Sequence, residues 1–306
     1  MTSTNIKACA KINLGLNIVS RRSDGYHNLE TVFYPVPIYD DITIEPLSDS
    51  QPTTLTIVSP SVDEGSSTPP LPVDDNLVMK AYRLVAEHYT LPPVSITLVK
   101  RIPMQAGMGG GSADCSFTIR LLNEMFNLNM ETSEMEAFAL MLGADCPFFV
   151  RATPAYAEGI GEQLYPVQLD MSRYALAIVK PPVAVSTREA FANIKPKQPI
   201  VNCREIVRRP IDEWRDQLCN DFEDSIFPQY PIIREGKEQL YRLGARYAAM
   251  SGSGSALFAF FDQDCLPDLH HAFPQNWFKQ LIINTKHPSP NTHHPKNDCK
   301  NTKIFS

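Results

Sequence analysis

The stretch Pro103–Phe117, PMQAGMGGGSADCSF, sets Gly107, Gly109, Gly110 and Gly111 within five positions and follows them at once with Ser112 and an apolar-periodic run. A flexible linker uses such glycines but does not lead into a well-formed helix. A loop whose backbone must meet an anion does both. N–H groups in a Gly-rich turn form an anion-binding nest, and the first turn of the next helix adds unpaired N–H groups and the positive end of its dipole. The glycine stretch is therefore compatible with a phosphate-binding loop. Ser112 is placed as the helix N-cap, able to bond a phosphate oxygen or Mg²⁺. The plain alternative is a tight turn before a capped helix. Two common nucleotide motifs are excluded. There is no G-x-x-x-x-G-K-[ST], and Ser112 stands where a dinucleotide fingerprint needs its last glycine.

Working outward, VSITLVK (94–100) alternates as a strand, and DNLVMKAYRLVAEHY from Asp75 reads as a capped helix with Leu77, Ala81, Leu84 and Val85 on one face. In Lys11–Ile18, Ile12, Leu14, Leu16 and Ile18 point one way and Lys11, Asn13, Gly15 and Asn17 the other, the pattern of a half-buried strand. DDITIEPL and TTLTIVS extend this β-rich region, and DEGSSTPPLPVDD (63–75) is a Pro/Ser-rich loop. After the glycines a helix is predicted over Ser112–Leu128, with Phe117, Leu121, Met125 and Leu128 as its stripe. Ser133 and Glu136 suggest a capping box for the next helix, striped by Met135, Phe138, Ala139 and Leu142 and ended by Gly143.

AYAEGIGEQLYPV closes a first domain at 1–165, and a second occupies 166–283. The second opens on the strand RYALAIVK, continues through short helices at STREAFANI and PIIREGKEQLYRLGA, and contains two strands, RYAAM and ALFAFF, joined by SGSGS (251–255). Residues 284–306 are rich in Asn, His, Lys and Pro and read as a disordered tail.

Composition narrows the classes. Of 306 residues, 43% are hydrophobic and 20% charged, ordinary for a globular protein, and the formal net charge of −6 argues against general binding to nucleic acid or an anionic membrane. Seven scattered cysteines without C-x-x-C spacing suit reduced thiols and a cytoplasmic location better than disulfides or a zinc site. No run reaches the length of a membrane span, and the N-terminal segment lacks a signal peptide's apolar core.

Three segments occur in an order that resembles the GHMP kinases, the family of galactose, homoserine, mevalonate and phosphomevalonate kinases: KACAKINLGLNI (7–18), the 103–113 loop and MSGSGSALFAFF (250–261). RRSDGYHNLETVF (21–33), LGADCPFFV (142–150), AYAEGIGE (155–162) and NDFE (220–223) narrow the resemblance to members acting on a cytidine diphosphate substrate. The likeness covers roughly residues 5–283. It implies an α+β fold of two domains, the first similar to the second domain of ribosomal protein S5 and the second ferredoxin-like. It implies transfer of the γ-phosphoryl group of ATP, with Mg²⁺, to the 2-hydroxyl of a cytidine-diphosphate-linked methylerythritol, a step of the non-mevalonate route to isoprenoid precursors.

The resemblance also implies roles. Asp145, which as an isolated residue would read as a helix-cap aspartate, becomes the base that accepts the hydroxyl proton. Lys11, otherwise an exposed strand lysine, pairs with it. Asn13 holds the substrate polyol. Tyr26 and Phe191 sandwich the base, His27 bonds its edge and Thr187 the diphosphate. Pro103, Gly107, Gly109, Gly110, Gly111, Ser112 and Ala113 take the ATP phosphates. Asn76 and Lys100 match adenine-side positions, although each has a plain alternative as a helix cap or a strand-end lysine. Gly252 and Gly254 shape a loop that braces the phosphate loop. Gln105 and Met108 depart from the family's usual Gly and Leu, and Cys115 stands where a small residue is usual. The partner is a small molecule; the oligomeric state and the metal's protein ligand stay open. Two rivals remain: a GHMP kinase for another alcohol, and an inactive nucleotide-binding member.

Overall fold

The computed structural model describes residues 3–59, 73–192 and 194–283, with the backbone of 304–305. In chain order its elements are β1 (Thr4–Arg21), β2 (His27–Pro46), β3 (Thr54–Val58), α1 (Leu77–His88), β4 (Val94–Val99), α2 (Gly110–Met125), α3 (Thr132–Leu142), α4 (Cys146–Arg151), β5 (Ala155–Glu158), β6 (Gln163–Pro166), β7 (Tyr174–Lys180), α5 (Thr187–Ala192), α6 (Cys203–Ile206), α7 (Phe222–Ile226), α8 (Pro231–Arg242), β8 (Tyr247–Met250), β9 (Leu257–Asp262), α9 (Leu269–Ala272), β10 (Phe278–Ile282) and β11 (Ile304–Phe305). Most of the loop read at 63–75 and of the tail read at 284–306 lies outside the described residues. Ile304 and Phe305 pair antiparallel with Ile282 and Leu281. Among the described residues no helix is long and apolar enough to cross a membrane.

Two compact units form. The first comprises Met1–Ala10, Ile38–Ile102 and Gly109–Ala152; the second comprises Lys11–Pro37, Pro103–Met108 and Thr153–Ser306. The division expected near residue 165 follows the chain, whereas the compact units interleave. The cause is the length of β1 and β2, at 18 and 20 residues, each of which contributes to both units.

In the first unit, β4 lies antiparallel to Asp41–Pro46 of β2 and parallel to β3. Helices α1, α2, α3 and α4 pack on one another. Asn76 caps α1, its side chain accepting from the Val78 N–H at 2.9 Å. The α1 stripe is wider than predicted, burying Val78, Met79 and Tyr82 beside Ala81, Leu84 and Val85. Two expected helix starts differ. Helix α2 begins at Gly110 after Gly109 in left-handed backbone, so Ser112 is its third residue and not its cap. Helix α3 is capped by Glu131 with no side-chain bond, and the Ser133–Glu136 capping box does not form because Ser133 is already helical. A capping box does occur at Ser186 and Glu189 before α5, with the two side chains bonding each other's backbone N–H groups at 3.2 and 2.9 Å.

In the second unit, β7, β8, β9 and β10 form an antiparallel sheet in the order β10-β7-β9-β8, with β11 beyond β10. Numbered along the chain that order is 4-1-3-2, with helices between the first and second strands and between the third and fourth. This is the expected ferredoxin-like β-α-β-β-α-β arrangement. Helix α8 lies against β8 and β9. Gly236 lets it approach, since a Cβ there would stand 2.8 Å from Leu257 and 2.9 Å from Trp277. Ile233, Leu240, Ala248, Leu257, Ala259 and Phe261 share the core beneath. The first half of β2 pairs with β5, which turns back into β6.

Candidate active site

The strand carrying Lys11 differs from its predicted half-buried form: both faces of Ala8–Ile18 are covered. Lys11 is 3% exposed and Asn13 2%, so their polar ends must find partners inside the protein. The Lys11 ammonium donates to Asn13 Oδ1 at 2.6 Å. Asn13 Nδ2 donates onward to Thr31 Oγ1 at 3.1 Å, and Thr31 donates to the Gly15 carbonyl. This chain fixes the Asn13 amide and gives the Lys11 ammonium an ordered acceptor. Thr31 was not singled out in the sequence, because a threonine in a strand carries no signal by itself.

The 103–113 loop passes from the second unit to the first between Met108 and Gly109. On the second-unit side it is laced to the 251–255 loop. Ser251 Oγ donates to the Gly107 carbonyl at 2.9 Å, Ser255 N–H to the Gln105 carbonyl at 3.3 Å and Ala256 N–H to the Ala106 carbonyl at 3.2 Å. The Lys11 N–H donates to the Met108 carbonyl at 3.0 Å. Gly107 (φ +70) is obligatory here: a Cβ would stand 1.9 Å from the Ser251 carbonyl oxygen. Gly252 and Gly254 also have positive φ, and a Cβ at Gly252 would press on the Gly107 backbone at 3.0 Å. Asn220, from NDFE, ties this brace down by donating to the Met250 and Gly252 carbonyls at 2.7 and 2.8 Å. Gln105 has φ +49, which accounts for the family's usual glycine there.

On the first-unit side, α2 starts at Gly110, and its first N–H groups have no intrahelical acceptors. A Cβ at Gly110 would meet Ile102 at 3.1 Å and the Lys100 ammonium at 3.4 Å, so this glycine answers to protein packing as well as to any ligand. Gly111 is exposed, and a Cβ there meets only Leu77, at an ordinary 3.7 Å. Ala113 is buried. Pro103 is half-buried at the loop's entrance.

Asp145 occupies the N-cap position of α4, as its plain reading has it, without a side-chain capping bond. Helix α4 is held in place by Ser116 of α2, whose hydroxyl donates to the Cys146 carbonyl at 2.6 Å. Lys100 is held between Asp40 and Asp114. Burial alone would lower its pKa, but the Asp114 and Asp40 carboxylates more than offset this and hold it above the ordinary lysine value. Cys115 is a buried free thiol, and its hydrogen bond to the Cys146 sulfur together with burial pushes its pKa well up, which opposes reactivity.

In the second unit, His27 stacks on Phe191 with ring centroids 4.9 Å apart and planes 21° apart, and Phe191 meets the edge of Phe222 at 4.8 Å. Burial, helped by the nearby Arg21, pulls the His27 pKa below 6.5. Tyr26 is 61% exposed, and Thr187 is exposed at the start of α5. The structure thus joins His27 with Phe191, and Lys11 with Asn13.

The GHMP kinases N terminal domain family model matches residues 76–152, and the GHMP kinases C terminal model matches 203–279. A 4-diphosphocytidyl-2-C-methyl-D-erythritol kinase of Bacteroides fragilis is 52% identical over 255 residues, covering 83% of this chain and 91% of that protein. One of Cytophaga hutchinsonii is 40% identical over 268 residues, covering 87% and 95%. A crystal structure of a 4-(cytidine 5'-diphospho)-2C-methyl-D-erythritol kinase aligns with a TM-score of 0.72 at 29% identity, over 91% of this chain and 98% of that one. A homoserine kinase from Cytophaga hutchinsonii aligns at 0.71 with 17% identity, over 100% and 98%, a likeness of fold alone.

Proposed function

The chain belongs to the GHMP kinase family, and from that premise we propose that it phosphorylates the 2-hydroxyl of 4-(cytidine 5'-diphospho)-2-C-methyl-D-erythritol with ATP. The observation that carries the substrate is the 52% identity to an enzyme of that name over 83% of the chain. In this reading the protein is a cytoplasmic enzyme of non-mevalonate isoprenoid precursor synthesis.

The N–H groups of Gly109–Ser112 receive the polyphosphate, and Asn76 and Lys100 lie on its adenine side. The substrate oxygen attacks the γ-phosphorus, its proton passes to Asp145, and ADP leaves. The Lys11 ammonium stabilises charge on the attacking oxygen, and Asn13 orients the polyol. His27, Tyr26 and Phe191 receive the cytosine and Thr187 the diphosphate. Mg²⁺, when bound, would offset the charge of the phosphates. Among the described residues no three His, Cys, Asp or Glu gather to cage a metal. Ser112, at the third residue of the helix that follows the glycines, would help to hold the ion together with the nucleotide's phosphates.

The test is ADP release by the purified protein with Mg-ATP and a panel of alcohols: the cytidine substrate, homoserine, mevalonate and galactose. Turnover confined to the cytidine compound supports the proposal. Preference for another alcohol moves the chain to another branch of the family, and no turnover with any of them makes it a nucleotide-binding member only.

A further inference from the structure

We infer that Asp40 and Asp114 are positioning residues of the nucleotide site, acting through Lys100 to hold the junction of β4 and the phosphate-loop helix. The inference rests on the nucleotide reading above. Asp40 is fully buried on β2. Its Oδ1 accepts the Arg101 and Ile102 N–H groups, the latter at 2.8 Å, while Oδ2 accepts from Lys100. One carboxylate therefore fixes both the backbone leaving β4 and the side chain that precedes it. The Lys100 ammonium donates also to Asp114 Oδ2 at 2.6 Å, one turn inside α2. Lys100 thus bridges β2 to α2, and its Nζ lies 3.4 Å from the place of a Cβ on Gly110, the first residue of that helix.

Stability alone does not explain the composition of this cluster. Two buried carboxylates around one ammonium leave a surplus acid, and a buried charge without a partner is costly, whereas apolar replacements of buried ion pairs are often neutral or better. Asp114 Oδ1 is buried with no hydrogen-bond partner. Burial pushes its carboxyl up to about 8, against the pull of Lys100. An ammonium has three N–H donors, and the two aspartates take two. They hold the Lys100 ammonium beside Gly110, the first residue of α2, with both acids buried.

The test uses Asp114→Leu, which removes one support, Asp40→Asn, which turns an amide N–H₂ toward the ammonium, and Asp114→Asn, which keeps an acceptor. Affinities for Mg-AMP-PNP and for CDP are titrated on the same samples as melting temperature, and KM for ATP is measured beside kcat. Asp114→Leu and Asp40→Asn are expected to weaken AMP-PNP and raise KM for ATP by about tenfold or more, with CDP affinity and kcat little changed. Asp114→Asn is expected to restore most of the loss. Unchanged AMP-PNP affinity in both damaging variants overturns the inference. So does parallel loss of AMP-PNP affinity, CDP affinity and melting temperature, or failure of both to fold, since each is the mark of a structural cluster. If the parent binds CDP but not AMP-PNP, the nucleotide reading itself falls and the inference with it.

Discussion

A buried lysine does chemistry or structure according to what holds it. The buried Lys11 ammonium donates to the Asn13 amide oxygen, whereas the Lys100 ammonium lies between two acids. Asp145→Asn and Lys11→Met are each expected to lower kcat by ~10²–10⁴ while leaving AMP-PNP affinity near the parent's. Turnover close to the parent's in both would remove them from the chemistry. His27 supplies a pH test. Its folded pKa is lowered, so its neutral form, and any stability tied to it, is fully present above the unfolded value of about 6.5 and lost as pH falls below it. A neutral ring keeps an acceptor nitrogen for the cytosine amino group. CDP affinity should therefore hold at neutral pH and fall as the pH drops through the lowered pKa. In His27→Ala the affinity should be weaker and that fall absent; an identical fall in the variant assigns the titration elsewhere.

At the level of elements, the loop glycines separate into different physical demands. Gly107 is fixed by protein against protein, through the Ser251 carbonyl and a positive φ. Gly107→Ala should lower melting temperature and nucleotide affinity together, because the loop cannot keep its lacing to 251–255. Gly111 is free of both constraints. Gly111→Ala should keep or raise stability, by up to ~1 kcal/mol from helix propensity, yet lose AMP-PNP affinity if phosphates lie against the helix start. A stable Gly111→Ala protein with parental affinity would reduce the stretch to a turn. At α5, Ser186→Ala should cost ~1 kcal/mol through loss of the capping box, read as a shift in denaturant midpoint without a change in its slope.

For the whole molecule, thiol accessibility reports global opening. Cys9, Cys115, Cys146 and Cys203 are buried, whereas Cys219 and Cys265 are exposed. Alkylation of the native protein followed by peptide mapping should label Cys265 and Cys219 and spare the four buried thiols until denaturant unfolds the chain. Early labelling of Cys115 would mean that the start of α2 opens locally. Saturating Mg-AMP-PNP or CDP should each raise melting temperature by mass action, about 2.7 kcal/mol at a hundredfold excess over Kd, and no shift with CDP would argue against a cytidine site.

The sequence by itself determined the elements and their chemistry. Period-2 and period-3.6 patterns located most strands and helices, and the glycine run announced a close backbone approach. The order of three motifs, with GYH and Phe191 beside them, gave the family and its cytidine branch. These are local signals, written in neighbouring residues. What the tertiary structure alone decided depends on residues distant in the chain. Lys11 and Asn13 look solvated by alternation, but folding buries both. Ser112 looks like a cap, but the left-handed turn at Gly109 starts the helix two residues earlier. The interleaving of the two units follows from strands long enough to serve both. Asp40 and Asp114 read as ordinary acids until packing brings them to one ammonium, because pairing across 60 and 14 positions is set by how the elements pack and leaves no periodic trace in the sequence.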